Sequence, residues 1–216
     1  MRGLFVAGTD TGVGKTFVAR ALCRVLRERG EAVVGLKPFE TGCQPRARDA
    51  EALEREAQSG LPLALRCFVR YHAPLAPAVA AETEGSRGGL AEVLAAIEFA
   101  SHGRVVVIES AGGLKVPIDP QHSNLDLARA LGLPVVLVGR NALGTLNHVA
   151  LSAEALRAVG LEVELLVLSR GHALADASQA SNLRWAQRLT SIKNALALPR
   201  TTVPAAARLL APLVAL

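Results

Sequence analysis

Aromatic residues are scarce in this sequence, since Phe, Trp and Tyr together make up 3% of its 216 residues. Half of the residues are nevertheless hydrophobic, so Val, Leu, Ile and Ala have to build the core. Aliphatic strands of this kind are typical of a parallel sheet that helices bury on both faces. The same scarcity argues against a nucleic-acid-binding module, which uses aromatic side chains for stacking and a clustered basic stripe.

Cysteine is also rare, and Cys23, Cys43 and Cys67 lie far apart. No C-x-x-C motif or metal-ligand spacing is present, so we predict reduced thiols, as in a cytoplasmic protein. The sequence has no apolar run of the ~20 residues that a membrane-spanning helix needs, and no basic region followed by a long apolar stretch at its start. We therefore expect a soluble cytoplasmic protein that is neither secreted nor bound in a membrane.

Acidic residues are outnumbered, because 24 Lys and Arg against 19 Asp and Glu give a net charge of +5. Such an excess can indicate a nucleic acid or an anionic substrate. Here the arginines are scattered along the chain and often stand beside glutamates, which favours a solvated helix surface.

Five short apolar runs predict buried strands: GLFVAG (3–8), AVVGLK (32–37), RVVVIES (104–110), LPVVLVG (133–139) and VELLVLS (163–169). Helical periodicity between several of them predicts helices at 14–29, 90–101, 124–131 and 146–159. Strands that alternate with helices indicate an α/β fold with a doubly wound, mostly parallel sheet and helices on both faces. Segment 40–89 is broken by prolines, and there we expect a helix at 49–59 and loops over the sheet edge. One domain over 1–216 is the simplest organisation, although two small domains also fit this length.

The stretch GTDTGVGKT, residues 8–16, follows the first predicted strand and opens the first predicted helix. Backbone N–H groups in such a turn, together with the helix dipole, favour an anion, which predicts a P-loop NTPase type of fold. Lys15 is then placed to reach the β- and γ-phosphates and Thr16 to coordinate Mg²⁺. The spacing is unusual, because the usual loop has glycine at the position of Thr9, and here the glycine is Gly8.

Three further clusters follow predicted strands, at the sheet edge where ligands of such folds bind, and a fourth candidate, Asp49, starts a predicted helix. Lys37, in LKPFETG, is either an active-site cation or a surface lysine. Glu109, in VVVIESAGGLKVP, brings a carboxylate to the phosphate site, where burial is costly unless it meets a cation such as Mg²⁺. Asp49, at the start of a predicted helix, is either a metal ligand or a favourable helix-terminal charge. The stretch LGTLNH, at 143–148, is either a second anion pocket or a helix cap.

Together these motifs resemble the dethiobiotin synthetase family. GTDTGVGKT, KPFETG, RDA, RYHAPLAPAVAAE, IESAGG and LGTLNH occur in the family's order and at similar spacing, over residues 3–170. The resemblance implies a reaction of ATP, CO₂ and 7,8-diaminononanoate that gives dethiobiotin, ADP and phosphate. One amine forms a carbamate with CO₂, the carbamate attacks the γ-phosphate to form a carbamic–phosphoric anhydride, and the second amine closes the ring.

The resemblance also implies a role for each motif. Lys15 and Lys37 are the expected catalytic residues, with Lys15 at the phosphate oxygens and Lys37 at the carbamate and the transferring phosphoryl group. Expected ligands of Mg²⁺ are Thr16, Asp49 and Glu109. Expected ATP contacts come from Gly12, Val13, Gly14, Lys15, Thr16, Phe17, Asp49, Glu109, Ser110, Ala111, Gly112 and Ser169.

The expected substrate contacts come from Thr11, Lys37, Thr41, Gly144, Thr145, Leu146 and Asn147. In the family the LGTLNH segment captures the substrate's distant carboxylate across a homodimer interface. The resemblance thus implies a homodimer in which each of two active sites is completed by the partner subunit. It implies small-molecule partners, with no nucleic acid and no membrane.

Three features depart from the family pattern. Ser110 stands where glycine commonly follows the metal-binding glutamate, and segment 196–216 matches poorly. Ser169 and Arg170 stand where an asparagine usually reads the adenine. We therefore predict weak discrimination between ATP and other nucleoside triphosphates.

Two other classes of ATP-dependent protein fit the loop less well. A partition-type regulatory ATPase carries K-G-G-x-G-K-T, whereas this chain has Asp10 at the early lysine and Thr11 at the first glycine. A ligase of the cobyrinate diamide synthase type shares a similar loop but normally brings a glutaminase domain with a nucleophilic cysteine. This chain has no room for that domain.

Overall fold

A computed structural model describes residues 1–170 and 176–215 of the chain. Its strands are β1 (Arg2–Gly8), β2 (Val33–Leu36), β3 (Phe39–Glu40), β4 (Val69–Arg70), β5 (Val105–Gly113), β6 (Val135–Arg140), β7 (Val163–Ser169) and β8 (Ala195–Leu198). Within the described ranges, six of them form a sheet in the order β2-β5-β1-β6-β7-β8, and every neighbouring pair is parallel. Strands β3 and β4 form a separate small parallel pair.

The helices are α1 (Lys15–Glu28), α2 (Arg48–Ala57), α3 (Pro77–Glu84), α4 (Leu90–Ser101), α5 (Asn124–Leu131), α6 (Thr145–Ala158), α7 (Gln179–Thr190) and α8 (Val203–Leu210). Short 3₁₀ turns lie at Leu63–Leu65 and Ala211–Leu213. No helix of the described ranges is long and apolar enough to cross a membrane.

Alternate residues of each central strand face opposite layers of helices. In β1, Leu4 and Val6 pack with α1, α2 and α8, whereas Phe5 and Ala7 pack with α4, α5, α6 and α7. All four residues are buried, and burying one large aliphatic or aromatic side chain contributes about 1.5–3 kcal/mol. Burial on both faces explains why the strands are continuous apolar runs, and it confirms the predicted doubly wound α/β fold with helices on both faces.

The structure corrects the expectation of loops around the helix in segment 40–89. Helix α3 begins at Pro77, and β3 and β4 pair within the same segment. Proline is favoured in the first turn of a helix because the N–H it lacks has no partner there, so its presence marked a helix start. Helices α7 and α8 and strand β8 also lie where the sequence predicted no element.

Candidate active site

The register of β2 and β5 brings two buried charges side by side. Leu36 pairs with Ile108, so Lys37 and Glu109 are the next residues on the two neighbouring strands. Lys37 Nζ donates a hydrogen bond to Glu109 Oε1 at 2.7 Å, and the two residues are 4% and 1% exposed. Losing either partner leaves an uncompensated buried charge, which costs several kcal/mol. The two charges predicted from separate strand ends therefore form one ion pair.

Two more of the predicted residues meet this pair from the helices. Thr16 Oγ1, at the start of α1, donates to Glu109 Oε1 at 2.7 Å. Asp49 Oδ2, in the first turn of α2, lies 3.1 Å from Lys37 Nζ. The remaining oxygen, Glu109 Oε2, is buried and has no hydrogen-bond partner in the described part of the chain. The structure thus places two carboxylates against the Lys37 ammonium group, adds the Thr16 hydroxyl through Glu109, and leaves Glu109 Oε2 free.

Burial and neighbouring charges shift the pKa values of this cluster. Burial raises the pKa of Glu109, although the charge of Lys37 opposes the shift. Burial lowers the pKa of Lys37, but the charges of Glu109 and Asp49 outweigh it, and the pKa of Lys37 rises above its ordinary value. Burial, and then the charge of Lys37, lower the pKa of Lys15 to about 8. Lys37 therefore stays a cation throughout the physiological pH range.

The shifted glycine of the loop has a steric reason. A Cβ at Gly8 would lie 2.7 Å from both Cδ and Nζ of Lys15, so the lysine side chain folds back across this position. Lys15 Nζ donates to Asp10 O at 2.8 Å. Glycine at the end of β1 makes room for the lysine, which explains why it stands one residue before the usual place.

Two loop glycines have backbone conformations that side chains disfavour. Gly12 has φ 71° and Gly14 has φ 101°, and Gly14 caps α1. A Cβ on Gly14 would also lie 2.8 Å from Ser169 Oγ on β7. The loop therefore depends on Gly14 both for its turn and for its close contact with the end of β7.

We expect Gly14→Ala to weaken binding of ADP by about tenfold or more, because the Cβ displaces the loop. Gly30→Ala is the matched control, since Gly30 has φ 86° and an added Cβ there meets no described atom within 4 Å. Both substitutions carry a left-handed backbone penalty of about 1–2 kcal/mol, so both should lower thermal stability. Titration with a fluorescent ADP analogue should separate them, and equal ADP affinity in the two variants would contradict the steric argument.

The end of β5 folds back over the loop. Gly112 has φ 80°, and a Cβ there would lie 2.8 Å from Val116 Cγ2. Ser110 is buried; its carbonyl accepts a hydrogen bond from Lys37 Nζ at 3.2 Å, and its hydroxyl donates to Gly112 O at 3.4 Å. The serine at the family's glycine position thus fits inside the turn.

A cavity of about 560 Å³ opens at the carboxyl ends of β1, β2 and β5. The predicted residues that line it are Thr11, Gly12, Gly14, Lys15, Thr16, Phe17, Lys37, Thr41, Asp49, Glu109, Ala111 and Gly112. Residues 74–77 line it as well, and Leu75 is 45% exposed. Sequence reasoning assigned no role to this segment, although its two prolines, in APLAP, are a signal for a stiff loop.

A second cavity of about 430 Å³ shares the phosphate loop with the first. The two cavities share Gly12, Gly14 and Phe17 as lining residues. Val13 lines only the second cavity of the two. Its other side consists of Ser169, Arg140, Arg170 and residues 199–201. Sequence reasoning found Ser169 here but missed Arg140 and residues 199–201, because segment 196–216 gave no motif.

The LGTLNH segment lies elsewhere. Gly144 caps α6 with φ 92°, and Thr145 is buried with an Oγ1 that has no described hydrogen-bond partner. Thr145 lines a small cavity of about 80 Å³ together with Asp10 and Arg140. Of residues 144–147, none lines the larger cavity described above. Within one chain, therefore, the structure does not bring this predicted substrate contact to Lys37.

A glycine-rich loop between a parallel strand and a helix, with Lys15 and Thr16 at the helix start, defines a P-loop nucleotide-binding protein. The chain is 48% identical over 192 residues, 88% of its length, to the ATP-dependent dethiobiotin synthetase BioD of Anaeromyxobacter dehalogenans strain 2CP-1, and covers 86% of that protein. The chain belongs to the dethiobiotin synthetase family, as its motifs predicted.

Other comparisons agree with this placement. Proteins of the same name from Caulobacter vibrioides strain NA1000 and Aquifex aeolicus strain VF5 are 40% and 38% identical, over 85% and 88% of this chain and 86% of each relative. A family model described as an AAA domain matches residues 2–206. The Signal Recognition Particle 54 kDa protein of Aeropyrum pernix K1, solved with GDP, has a TM-score of 0.50 and 19% identity, over 98% of this chain and 46% of that chain. This last likeness shows the fold alone.

Proposed function

We propose that this protein catalyses the ATP-dependent formation of dethiobiotin from 7,8-diaminononanoate and CO₂. Family membership supports ATP as a substrate and dethiobiotin as the product. One observation carries the proposal for this chain, namely that the buried pair of Lys37 and Glu109 faces the same cavity as the phosphate loop. A cation and a carboxylate beside the phosphate site can stabilise the charges of phosphoryl transfer. This arrangement therefore favours an enzyme over a protein that only binds nucleotide.

A divalent ion fits the oxygen-bearing side chains of this cavity. Glu109 Oε2 is the buried oxygen without a described partner, and the Asp49 carboxylate and Thr16 hydroxyl are close by. In the described ranges no three His, Cys, Asp or Glu side chains form a metal cluster, which suits Mg²⁺, because that ion keeps several waters and takes few protein ligands. Thr16, Asp49 and Glu109 would hold Mg²⁺, and the ion would neutralise charge between the phosphates.

The chain itself contributes placement and positive charge. The first amine adds to CO₂ through its nitrogen and loses a proton, which gives a carbamate. A carbamate oxygen attacks the γ-phosphorus and the bond to ADP breaks, while Lys15 and Lys37 stabilise the developing charge. The second amine then attacks the carbamate carbon, phosphate leaves with the bonding electrons, and a second proton is released as the ring closes. Thr11 and Thr41 would hold the diamine end.

We further propose that each subunit is a single domain over residues 1–216 and that two subunits form a homodimer. Leu143, Leu151 and Leu189 are 87%, 58% and 56% exposed near α6 and α7, a surface that a second copy could cover. Residues 144–147 would then hold the substrate carboxylate of the partner's site. Separation of those residues from the large cavity of their own chain supports this arrangement.

Mixing two inactive variants tests the shared site. Asn147→Glu should repel the substrate carboxylate, and Lys37→Ala should stop phosphoryl transfer. If each site uses Lys37 from one subunit and residues 144–147 from the other, a mixed dimer has one intact site and one inactive site. Refolding the two variants together makes about half of the dimers mixed, so the mixture should recover about a quarter of the wild-type rate. A mixture as inactive as its components would contradict the shared site.

Base selectivity is expected to be weak. Ser169, Arg140 and Arg170 line the second cavity beside the loop, and the usual amide side chain for adenine is absent from the position of Ser169. We predict kcat/KM values for ATP, GTP and CTP that differ by less than about tenfold, equivalent to ~1.4 kcal/mol. Initial rates with each nucleotide would measure this, and a strong preference for ATP would contradict it.

Product analysis tests the proposed function itself. The protein should convert 7,8-diaminononanoate, ¹³C-bicarbonate, Mg²⁺ and ATP into a cyclic urea labelled at its carbonyl carbon, with one ADP for each ring. Omitting the diamine should leave ATP largely uncleaved. ATP hydrolysis that does not depend on the diamine, without a labelled ring, would favour a regulatory ATPase instead.

A further inference from the structure

Glu40 is a buried carboxylate that the reaction above does not use. It ends β3 and is 5% exposed. Glu40 Oε1 accepts a hydrogen bond from the backbone N–H of Asp49 at 2.8 Å, and Oε2 accepts one from the N–H of Ala50 at 3.0 Å. Both carboxylate oxygens are therefore committed to the start of α2.

These bonds replace a missing helix cap. Helix α2 begins at Arg48, so Asp49 and Ala50 are its second and third residues, whose N–H groups have no partner inside the helix. The residue at the cap position is Ala47, which has no side-chain acceptor. A Ser, Thr, Asp or Asn normally fills this role, and its loss costs about 0.5–2 kcal/mol. Glu40, nine residues before Asp49 and ten before Ala50, supplies the acceptors instead.

The capped residue is also the one that approaches Lys37. Asp49 has its backbone N–H fixed by Glu40 and its carboxylate 3.1 Å from Lys37 Nζ, while its side chain is 39% exposed. Farther along α2, Glu56 receives hydrogen bonds from Arg20 and Arg24 of α1, at 3.0 and 3.5 Å. Those bonds hold the later turns of α2 against the phosphate-loop helix. In the first turn, Arg66 Nη1 donates to Ala50 O at 2.8 Å, whereas Glu40 binds the N–H groups, including that of Asp49.

We propose that Glu40 is a positioning residue, which places the Asp49 carboxylate at the divalent-ion site by capping α2. This inference rests on the proposed role of Asp49 as an ion ligand. Glu40 also lines the large cavity, but both of its carboxylate oxygens accept hydrogen bonds from α2, so in this proposal it acts through Asp49.

Glu40→Gln isolates the capping contact with little change of shape. The amide has one acceptor oxygen and an NH₂ donor, so in either orientation one of the two backbone N–H groups loses its acceptor. The affinity for Mn²⁺ in the presence of ADP should weaken about tenfold in this variant, a smaller loss than in Asp49→Asn. The electron paramagnetic resonance signal of free Mn²⁺ measures this affinity. Turnover is not needed for this readout.

A double-mutant cycle shows whether Glu40 acts through Asp49. If it does, Glu40→Gln combined with Asp49→Asn should bind Mn²⁺ within about twofold of Asp49→Asn alone, because coupled residues are not additive. Glu51→Gln is the matched control, since Glu51 is in the same helix turn but pairs with the exposed Arg46, and it should leave the affinity unchanged. Fully additive losses, or a Glu40→Gln affinity equal to wild type, would overturn the proposal.

Restoring the cap by another route separates positioning from general stability. Ala47→Ser places a hydroxyl acceptor at the cap position, and in the Glu40→Gln background it should recover most of the Mn²⁺ affinity. If the double variant recovers the thermal midpoint but not the Mn²⁺ affinity, the proposal is overturned. It is also overturned if Glu40→Gln alone is unstable but binds Mn²⁺ as tightly as wild type. If Asp49→Asn binds Mn²⁺ as tightly as wild type, the ion site proposed above fails as well.

Discussion

Replacing Lys37 with alanine should lower kcat by about 10²–10³-fold, the usual effect of removing one group that stabilises developing charge. Lys37 is buried beside Glu109 and keeps its proton, so it presents a fixed cation to the carbamate and the transferring phosphoryl group. ADP affinity should change little, because the phosphate loop is formed by other residues. Steady-state kinetics and a separate ADP titration measure the two effects.

The control for this variant is Lys193→Ala, which removes an exposed lysine outside the cavity. Alanine at position 37 also leaves Glu109 buried without its cation, so thermal unfolding with and without ADP has to show that the variant is folded. If a folded Lys37→Ala protein retains activity within about tenfold of wild type, a loss below ~1.4 kcal/mol, Lys37 does not have the proposed role.

Glu109→Gln should raise the Mg²⁺ concentration for half-maximal activity by about tenfold or more. The buried Oε2 is the oxygen left free for the ion, and an amide removes both the charge and one acceptor. The change also weakens the contacts from Lys37 and Thr16 to Oε1. Turnover measured against Mg²⁺ at saturating ATP gives the value directly.

Glu98→Gln makes the same chemical change on the exposed side of α4 and should leave the Mg²⁺ titration as in wild type. An unaltered titration in Glu109→Gln would show that Glu109 is not an ion ligand. Equal shifts in both variants would show a general effect of net charge.

The central strands and the loop could be predicted because local patterns determine them. Continuous apolar runs indicate strands buried on both faces, and the glycines of the loop precede a helix with a lysine and a threonine. The meeting of Lys37 and Glu109 follows from a parallel sheet, in which the ends of neighbouring strands lie on one edge. The strands and the loop needed no knowledge of distant contacts, whereas the direct Lys37–Glu109 ion pair was not predicted, because it depends on β2 lying beside β5.

The missed features depend on tertiary contacts. Strands β2 and β8 both have four residues and stand at sheet edges, but only β2 was predicted. The sequence of β8, ALAL, contains no β-branched residue, and alanine is disfavoured in strands. Helix α7 is mostly polar, and three of its residues are buried. The motif KPFETG gives no sequence signal for the role of Glu40. The proposed capping role follows only from the hydrogen bonds between Glu40, at the end of β3, and the start of α2. Pairing over such distances leaves no periodic signal in a single sequence.

A crystal soaked with a non-hydrolysable ATP analogue, Mn²⁺ and 7,8-diaminononanoate would show whether nucleotide, ion and diamine meet at one site. We expect an anomalous Mn²⁺ peak among Thr16, Asp49 and Glu109, with the γ-phosphate against Lys15 and one end of the diamine beside Lys37. Nucleotide, metal and diamine bound in separate parts of the molecule, away from these side chains, would contradict this expectation.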